Sequence, residues 1–138
     1  MLVLGGIAMK EKPKSILIVD DDVDICNTLK DIFADKGYHA EVSNDKSEAV
    51  KMAKTRTYDA ALIDIILDKV DGGVHVIKEL KKIRPNTLFF VMTAYTREDL
   101  IVEAFKSGAL KLFKKPFDIE EVLTVIAEEV EKKHSKNS

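Results

Sequence analysis

The stretch Ala60-Ala61-Leu62-Ile63-Asp64 decides the fold, because an unbroken apolar run here ends in a carboxylate. Tyr58-Asp59 precedes the run, and the turn signal Asp71-Gly72-Gly73 follows it. A continuous apolar run between turn signals is typical of a strand buried on both faces of a parallel sheet. Asp64 would then lie at the carboxyl end of that strand, the edge where open α/β sheets bind ligands. A buried acid is costly unless it is paired or bound to a metal, so Asp64 is either a costly accident or the reactive group.

The composition favours one globular domain without special partners. A chain of 138 residues suits a single core, and 46% apolar with 33% charged residues is ordinary for a soluble protein. The net charge of −2 gives no reason to expect direct nucleic-acid or membrane binding. Cys26 is the single cysteine, which excludes an internal disulfide and fits a reducing cytoplasm. We therefore predict a cytoplasmic domain that inserts into no membrane.

The two ends of the chain are predicted to lie outside the domain. Residues 1–14 are interpreted as a flexible extension, since their apolar run is too short to span a bilayer and no basic region precedes it. Residues 131–138 are charged and polar, which is typical of a fraying tail. The domain itself is predicted to cover residues 15–130.

Five strands alternate with five helices along the domain. Ile16-Leu17-Ile18-Val19 repeats the pattern of the opening stretch, because it runs directly into Asp20-Asp21-Asp22. Three further strands are predicted, over residues 38–42, 88–92 and 110–113, and apolar residues recur at helical spacing after each strand. Asp22 is suited to cap the first helix and Gly37 to close it. Alternation of this kind predicts a doubly wound, five-stranded parallel sheet in a three-layer α/β/α sandwich.

The carboxyl edge of this sheet would collect a coherent chemical set: Asp20, Asp21, Asp64, Thr93 and Lys115. Clustered carboxylates repel each other unless a cation lies among them, and Mg²⁺ suits a partial carboxylate cage. A lysine and a hydroxyl opposite a metal form a pocket for an oxyanion. Phosphoryl transfer depends on such positioning and charge neutralisation, and a carboxylate can itself accept the phosphoryl group.

Four motifs in a fixed order carry a resemblance to a known family. They are Asp20-Asp21, Asp64 followed by Asp71-Gly72, Met92-Thr93-Ala94, and Gly108-Ala109 leading to Lys115-Pro116-Phe117. In this order the chain resembles, over about residues 15–130, the receiver domains of two-component response regulators, including the single-domain chemotaxis regulator. The resemblance implies a flavodoxin-like fold and a phosphoacceptor signalling module.

The resemblance also implies a role for each acidic residue. Asp64 would be the phosphorylated aspartate. Asp21 and Asp64 would bind Mg²⁺ directly, together with the backbone carbonyl of Ile66, and Asp20 would act partly through water.

On the phosphoryl side, the resemblance implies that Thr93 hydrogen-bonds the phosphoryl group and that Lys115 forms an ion pair with it. The Lys115–Pro116 bond would be cis. The donor would be a phosphohistidine of a sensor histidine kinase or of a histidine phosphotransfer protein. Phosphorylation would switch binding of a downstream protein, or a homodimer through the fourth helix, fifth strand and fifth helix. Such a domain catalyses only its own phosphorylation and dephosphorylation.

Two positions depart from the family pattern. Asp68 stands where family members often carry proline, in the loop after the acceptor. Leu112 stands where an aromatic residue often moves inward on activation, and Phe113 would point to the opposite face of a regular strand. We therefore predict that the phosphate signal leaves mainly through the loop Ala94-Tyr95-Thr96 and the start of the fourth helix.

Two other functions fit parts of the pattern. A Mg²⁺-dependent aspartyl phosphatase would use a nucleophile in Asp20-Asp21-Asp22, after the first strand. A degenerate receiver would bind partners without phosphate. The residue labelled by a small phosphodonor discriminates among the three.

Overall fold

The computed structural model describes residues 2–4, 7–9, 13–68 and 71–136, within which two sheets are present. Leu2–Leu4 (β1) and Ile7–Met9 (β2) pair antiparallel in a small sheet inside the predicted extension, whose residues 1, 5, 6 and 10–12 lie outside the described ranges. The main sheet is parallel and contains β3 (Ser15–Val19), β4 (His39–Ser43), β5 (Ala60–Asp64), β6 (Leu88–Thr93) and β7 (Ala109–Lys114).

Five helices alternate with the strands of the main sheet: α1 (Val23–Asp35), α2 (Lys46–Thr55), α3 (Gly72–Ile83), α4 (Glu98–Ser107) and α5 (Ile119–Lys136). The strand order is β4-β3-β5-β6-β7, so the chain reverses its winding direction after β4. The predicted doubly wound sheet with five helices is confirmed. No helix in the described ranges has the length and apolar content needed to cross a bilayer.

The sheet separates two apolar clusters. Side chains of α1 and α5 pack on one face, where Phe33, Phe90 and Phe113 are buried. Side chains of α2, α3 and α4 pack on the other face, where Leu17 and Ile77 are buried. Strand β5 lies in the middle of the sheet and is buried along its whole length, which holds its last residue in a fixed place.

The capping signals in the sequence have the expected geometry. The Asp22 carboxylate accepts hydrogen bonds from the backbone N–H groups of Asp24 and Ile25, and α1 therefore begins at the next residue. Gly37 follows the end of α1 with φ 92°, a conformation that glycine adopts without strain. Asp45 caps α2 in the same way, by accepting from the Glu48 N–H.

The paired glycines after β5 have a different role from the predicted turn. Gly72 and Gly73 are the first residues of α3, and both are buried. A β-carbon on Gly72 would overlap the carbonyl oxygen of Leu67, and one on Gly73 would overlap that of Asp64. These positions therefore need glycine because α3 begins in direct contact with the backbone of the preceding loop.

The last helix extends beyond residue 130, where the sequence predicts a tail. Helix α5 continues to Lys136, since residues beyond 130 make contacts with the amino edge of the sheet. Glu131 accepts from Lys14 Nζ at 2.7 Å, and His134 Nε2 lies 3.1 Å from Asp59 Oδ1. Residues 137 and 138 of the predicted tail lie outside the described ranges.

Asp59 is expected to give the fold a defined acid sensitivity. Burial raises the pKa of Asp59, but hydrogen bonds from the Ser15 N–H and from His134 outweigh it and hold the pKa below its usual value. A carboxyl with a lowered pKa stabilises the fold above its unfolded-state pKa, and this stabilisation is lost as pH falls through the folded-state pKa. We expect Asp59→Asn to lower the free energy of unfolding by about 1 kcal/mol at pH 7, since the carboxylate keeps partial contact with solvent.

Urea unfolding of both chains at pH 7, 5 and 3 measures this difference. It should persist at pH 5 and shrink at pH 3, while the exposed Asp31→Asn serves as the control. An undiminished difference at pH 3 would show that Asp59 acts through packing rather than charge.

Candidate functional site

Four residues named from the sequence lie together at the carboxyl edge of the parallel sheet. Asp20 directly follows β3, Asp64 ends β5, Thr93 ends β6, and Lys115 directly follows β7. Three of them are strongly buried, with 0% of Asp20, 7% of Asp64 and 2% of Thr93 exposed. Because the strands are parallel and adjacent in the sheet, residues far apart in sequence meet at this edge.

One lysine joins the two buried carboxylates. Lys115 Nζ lies 2.7 Å from Oδ2 of Asp20 and 2.7 Å from Oδ2 of Asp64. The other carboxylate oxygens are also held, since Asp64 Oδ1 accepts from the Ile66 N–H at 2.9 Å and Asp20 Oδ1 from the Asp22 N–H at 3.0 Å. Two negative charges therefore share the cation of Lys115 at the centre of the site.

The pKa values of Asp64 and Lys115 are both shifted in this cluster. Burial raises the pKa of Asp64, and the nearby charge of Asp20 adds to it, so that the hydrogen bond and charge of Lys115 offset the rise only in part. Burial by itself lowers the pKa of Lys115, but its hydrogen bonds to the two carboxylates outweigh burial and raise that pKa. The lysine is therefore firmly charged, and among the described residues of this cluster the two carboxylates retain a deficit of positive charge.

Removing the shared cation should destabilise the fold in a pH-dependent way. We expect Lys115→Met to lower the free energy of unfolding by about 3 kcal/mol at pH 7, because two buried carboxylates lose their counter-ion. Because Lys115 lowers the pKa of Asp64, its removal raises that pKa further, and the folded variant takes up a proton at a higher pH than the folded wild type does. The loss should therefore become smaller as the pH falls from 7 to 5.

Urea unfolding at both pH values measures the effect, and Lys114→Met, at the exposed neighbouring position, is the matched control. Equal losses in the two variants would mean that the ion pairs of Lys115 contribute no specific stability.

The carboxylate oxygens at this edge are the kind of ligand that a hard divalent cation prefers. Asp20 and Asp64 offer carboxylate oxygens beside one lysine, and the exposed Asp21 adds a third negative charge next to them. Within the described ranges, however, no three acidic, histidine or cysteine side chains already lie close enough together to hold an ion. Ile66 is two residues beyond Asp64 and touches its carboxylate through the N–H, so the metal contact of its carbonyl stays a prediction.

The Thr93 hydroxyl is engaged with its own loop rather than with Asp64. Its Oγ1 donates to the Tyr95 carbonyl at 3.1 Å and accepts from the Tyr95 N–H at 3.1 Å. The Tyr95 side chain is 64% exposed. The Lys115 N–H donates to the Thr93 carbonyl at 2.8 Å, and the Lys115–Pro116 bond is cis, as the resemblance implies. The threonine thus lies at the site with its hydroxyl held by the loop after β6.

The structure shows what the residues at the two positions that depart from the family pattern, Asp68 and Leu112, contact. Asp68 has φ 58°, a left-handed conformation that proline cannot adopt, and its Oδ2 accepts from the Lys46 N–H at 3.3 Å. Lys69 and Val70, next in this loop, lie outside the described ranges. Leu112 packs on the face covered by α2, α3 and α4, whereas Phe113 stacks on Phe90 in the opposite cluster.

Three residues that the sequence analysis did not connect to the site hold the backbone of Asp20. Its carbonyl oxygen accepts from Asn44 Nδ2 at 3.0 Å and from Cys26 Sγ at 3.2 Å. Its N–H donates to the Ser43 carbonyl at 3.1 Å. Burial raises the pKa of Cys26 to about 11, so the thiol keeps the proton that it donates. No sequence signal reveals these contacts, because they depend on how the β4–α2 loop meets α1.

Comparison with known proteins identifies the family. The model of the response regulator receiver domain matches residues 16–127. The chain is 36% identical over 114 residues to sporulation initiation phosphotransferase F of Bacillus subtilis, a match that covers 83% of this chain and 89% of that protein. It is 33% identical over 120 residues to the transcriptional regulatory protein ZraR of Klebsiella oxytoca, where the match covers 87% of this chain but spans about a quarter (27%) of ZraR.

Solved structures agree with the sequence matches. A CheY-like response regulator receiver domain protein from Methanospirillum hungatei superposes with a TM-score of 0.85 at 28% identity, covering 91% of this chain and 99% of that chain. A response regulator from Burkholderia pseudomallei, with a phosphorylated aspartic acid, calcium ion and citrate, gives 0.77 at 26% identity and covers 91% and 73%. The chain therefore belongs to the response regulator receiver domains, the phosphoacceptor signalling modules of two-component systems.

Proposed function

We propose that Asp64 is the residue that accepts the phosphoryl group, from a phosphohistidine of a sensor histidine kinase or a histidine phosphotransfer protein. The observation that carries this assignment is the position of Asp64. It ends the central buried strand, within a hydrogen bond of Lys115, and shares that lysine with Asp20. The similar regulator from Burkholderia pseudomallei carries a phosphorylated aspartic acid, which supports the same chemistry here.

The transfer requires no separate enzyme acting on this chain. A carboxylate oxygen of Asp64 attacks phosphorus, and the new P–O bond forms as the P–N bond to the partner's imidazole breaks. The leaving nitrogen keeps the electron pair. Lys115 stays charged beside the incoming oxygens, where it neutralises part of the charge that develops on them. Thr93 reaches the phosphoryl group after its hydroxyl releases Tyr95. Water then hydrolyses the acyl phosphate slowly, so the domain catalyses only its own phosphorylation and dephosphorylation.

Mg²⁺ is the cofactor we propose for this reaction. Asp21, Asp64 and the carbonyl of Ile66 would hold it, with Asp20 acting partly through water. When bound, the ion would supply positive charge beside the phosphoryl oxygens. Lys115 alone cannot balance the negative charge of these oxygens together with that of three carboxylates. The deficit of positive charge around Asp20 and Asp64 supports this proposal.

The donor histidine would reach Asp64 over an apolar groove beside the site. This groove has a volume of about 550 Å³ and lies between α1 and the start of α5. Its apolar lining consists of Ile25, Leu29, Ile32, Ala94, Pro116, Phe117 and Ile119, and Lys115 lies at its end. A helix of a cytoplasmic kinase or phosphotransfer protein would bury its apolar face here and bring a phosphohistidine to the carboxyl edge.

The output surface we propose is formed by α4, β7 and α5. Val102, Phe105 and Leu110 are between 41% and 50% exposed on α4 and β7, which leaves apolar area for a downstream protein or a second copy. Leu112 is packed against the core, whereas Tyr95 lies in the loop that holds Thr93. The signal would therefore start in the loop 94–96 and reach this surface through the beginning of α4.

Mapping the phosphate after treatment with acetyl phosphate and Mg²⁺ tests the assignment. Reduction of the acyl phosphate with borohydride, followed by peptide mass spectrometry, should place one modification on Asp64, and chelation of Mg²⁺ should prevent it. Modification in Asp20-Asp21-Asp22 would instead indicate an aspartyl phosphatase. A chain that stays unmodified would act as a receiver without phosphate.

A further inference from the structure

The peptide unit between Asp20 and Asp21 is held from two sides. Asn44, in the loop after β4, donates to the Asp20 carbonyl oxygen at 3.0 Å. Cys26, on α1 and fully buried, donates to the same oxygen at 3.2 Å. The N–H of Asp20 is fixed as well, by the Ser43 carbonyl at 3.1 Å. The backbone that carries the acidic pair is thus connected to two separate elements.

The loop that presents Asn44 is itself ordered by a buried hydroxyl. Ser43 is 0% exposed, and its Oγ donates to the Asp45 carbonyl at 2.7 Å. Asp45 in turn caps α2 by accepting from the Glu48 N–H at 2.8 Å. The amide of Asn44 therefore projects from a short loop whose two ends are anchored, one in the sheet and one in α2.

The carbonyl that Asn44 contacts belongs to the plane that links Asp20 to Asp21. Rotation of this plane would change the direction of the Asp21 Cα–Cβ bond and hence the place of its carboxylate. Asp21 is exposed, whereas Asp20 is additionally held by Lys115. The hydrogen bond from Asn44 therefore constrains the more exposed of the two acids. Residues behind direct metal ligands change metal affinity by orienting those ligands.

We propose that Asn44 is a positioning residue that sets the divalent-cation affinity of the acidic pair through the Asp20 carbonyl. This inference rests on the proposed function, since it takes Asp21 as a metal ligand. It predicts that losing the Asn44 amide weakens Mg²⁺ binding by on the order of tenfold. The rate of phosphorylation at saturating Mg²⁺ should change little, because Asn44 touches neither Asp64 nor Lys115 in the described contacts.

The experiment titrates Asn44→Ala and the wild type with Mg²⁺. Calorimetry gives the Kd, and NMR spectra give the positions of the amide resonances. We expect a rise in Kd of about tenfold, a shift of the Asp21 ¹⁵N resonance even without metal, and little change in the unfolding midpoint in EDTA. Asn44→Ser, whose hydroxyl is too short to reach the Asp20 carbonyl, is the second variant if alanine impairs folding. Asn86→Ala, at an exposed asparagine at the opposite edge of the sheet, is the control.

Each outcome decides between positioning and other roles. An unchanged Kd for Mg²⁺ in both Asn44 variants overturns the inference. So does a higher Kd if Asn86→Ala raises the Kd by the same factor. A large drop in the unfolding midpoint in EDTA with an unshifted Asp21 resonance also overturns it. A wild-type chain that binds no Mg²⁺ contradicts the proposed cofactor itself, whereas normal wild-type binding with unaffected variants contradicts the role of Asn44 alone.

Discussion

Asp64→Asn is expected to abolish phosphorylation, with the rate from acetyl phosphate falling by on the order of 10³-fold or more. An amide oxygen is a poor nucleophile. Each oxygen of Asp64 accepts a hydrogen bond, one from Lys115 and one from the Ile66 N–H, so the amide nitrogen of asparagine would place a donor opposite another donor. Asp20, the other buried carboxylate at this edge, is 0% exposed and is therefore not an equivalent acceptor. The quantity to measure is the intact mass of the chain over time in acetyl phosphate and Mg²⁺.

The same substitution should raise the free energy of unfolding. Burial and Asp20 raise the pKa of Asp64, which means that its charge is unfavourable in the folded state at neutral pH. Asp71→Asn, an exposed carboxylate after the same strand, is the control and should keep both the wild-type rate and stability. Uptake of phosphate by Asp64→Asn at the rate of that control would rule out Asp64 as the acceptor.

Gly73→Ala is expected to lower the free energy of unfolding by about 3 kcal/mol and to slow phosphorylation. The added methyl group would overlap the carbonyl oxygen of Asp64 and lie 2.6 Å from the Ile65 Cα. Both obstacles are backbone, so no rotation of a side chain relieves the overlap. The loop after β5 or the start of α3 must therefore shift, and Asp64 lies on the part that moves.

Gly37→Ala is the matched control for this steric effect. Gly37 has φ 92°, but a methyl group added there would have no neighbouring atom within 4 Å, so alanine meets backbone strain alone, at about 1 to 2 kcal/mol. Urea unfolding gives both stabilities, and mass spectrometry gives both phosphorylation rates. If Gly37→Ala slows phosphorylation as much as Gly73→Ala does, the effect comes from general destabilisation and not from displacement of Asp64.

The sheet and the clustering of Asp20, Asp64 and Lys115 at its carboxyl edge could be predicted because their signals are local. Apolar runs that end in Asp20 and Asp64 indicate both a buried strand and its carboxyl end, and parallel pairing then brings Lys115 to the same edge. The cap at Asp22 is predictable for the same reason. These features depend on residue type and spacing along a few neighbouring positions.

Other features depend on contacts between distant segments, which residue types do not encode. Asn44 meets Asp20 only after two strands pair. Glycine is required at position 73 because the backbone of Asp64 lies so close to it, whereas in the sequence Gly73 looks like part of a turn signal. The extent of α5 beyond residue 130 depends on Glu131 and His134 meeting the amino edge of the sheet. A polar, charged segment is otherwise a reasonable prediction for a tail.

The left-handed backbone at Asp68 limits how this chain can be engineered. Substituting a residue that is common in the family is a route to greater thermal stability, and the family resemblance implies proline as the candidate at this position. The ring fixes φ at about −65°, opposite in sign to the 58° observed, so the exchange would force the loop after Asp64 into another path. Stabilising designs for this domain should therefore be screened by backbone conformation before residue frequency, and glycine is the compatible choice at this site.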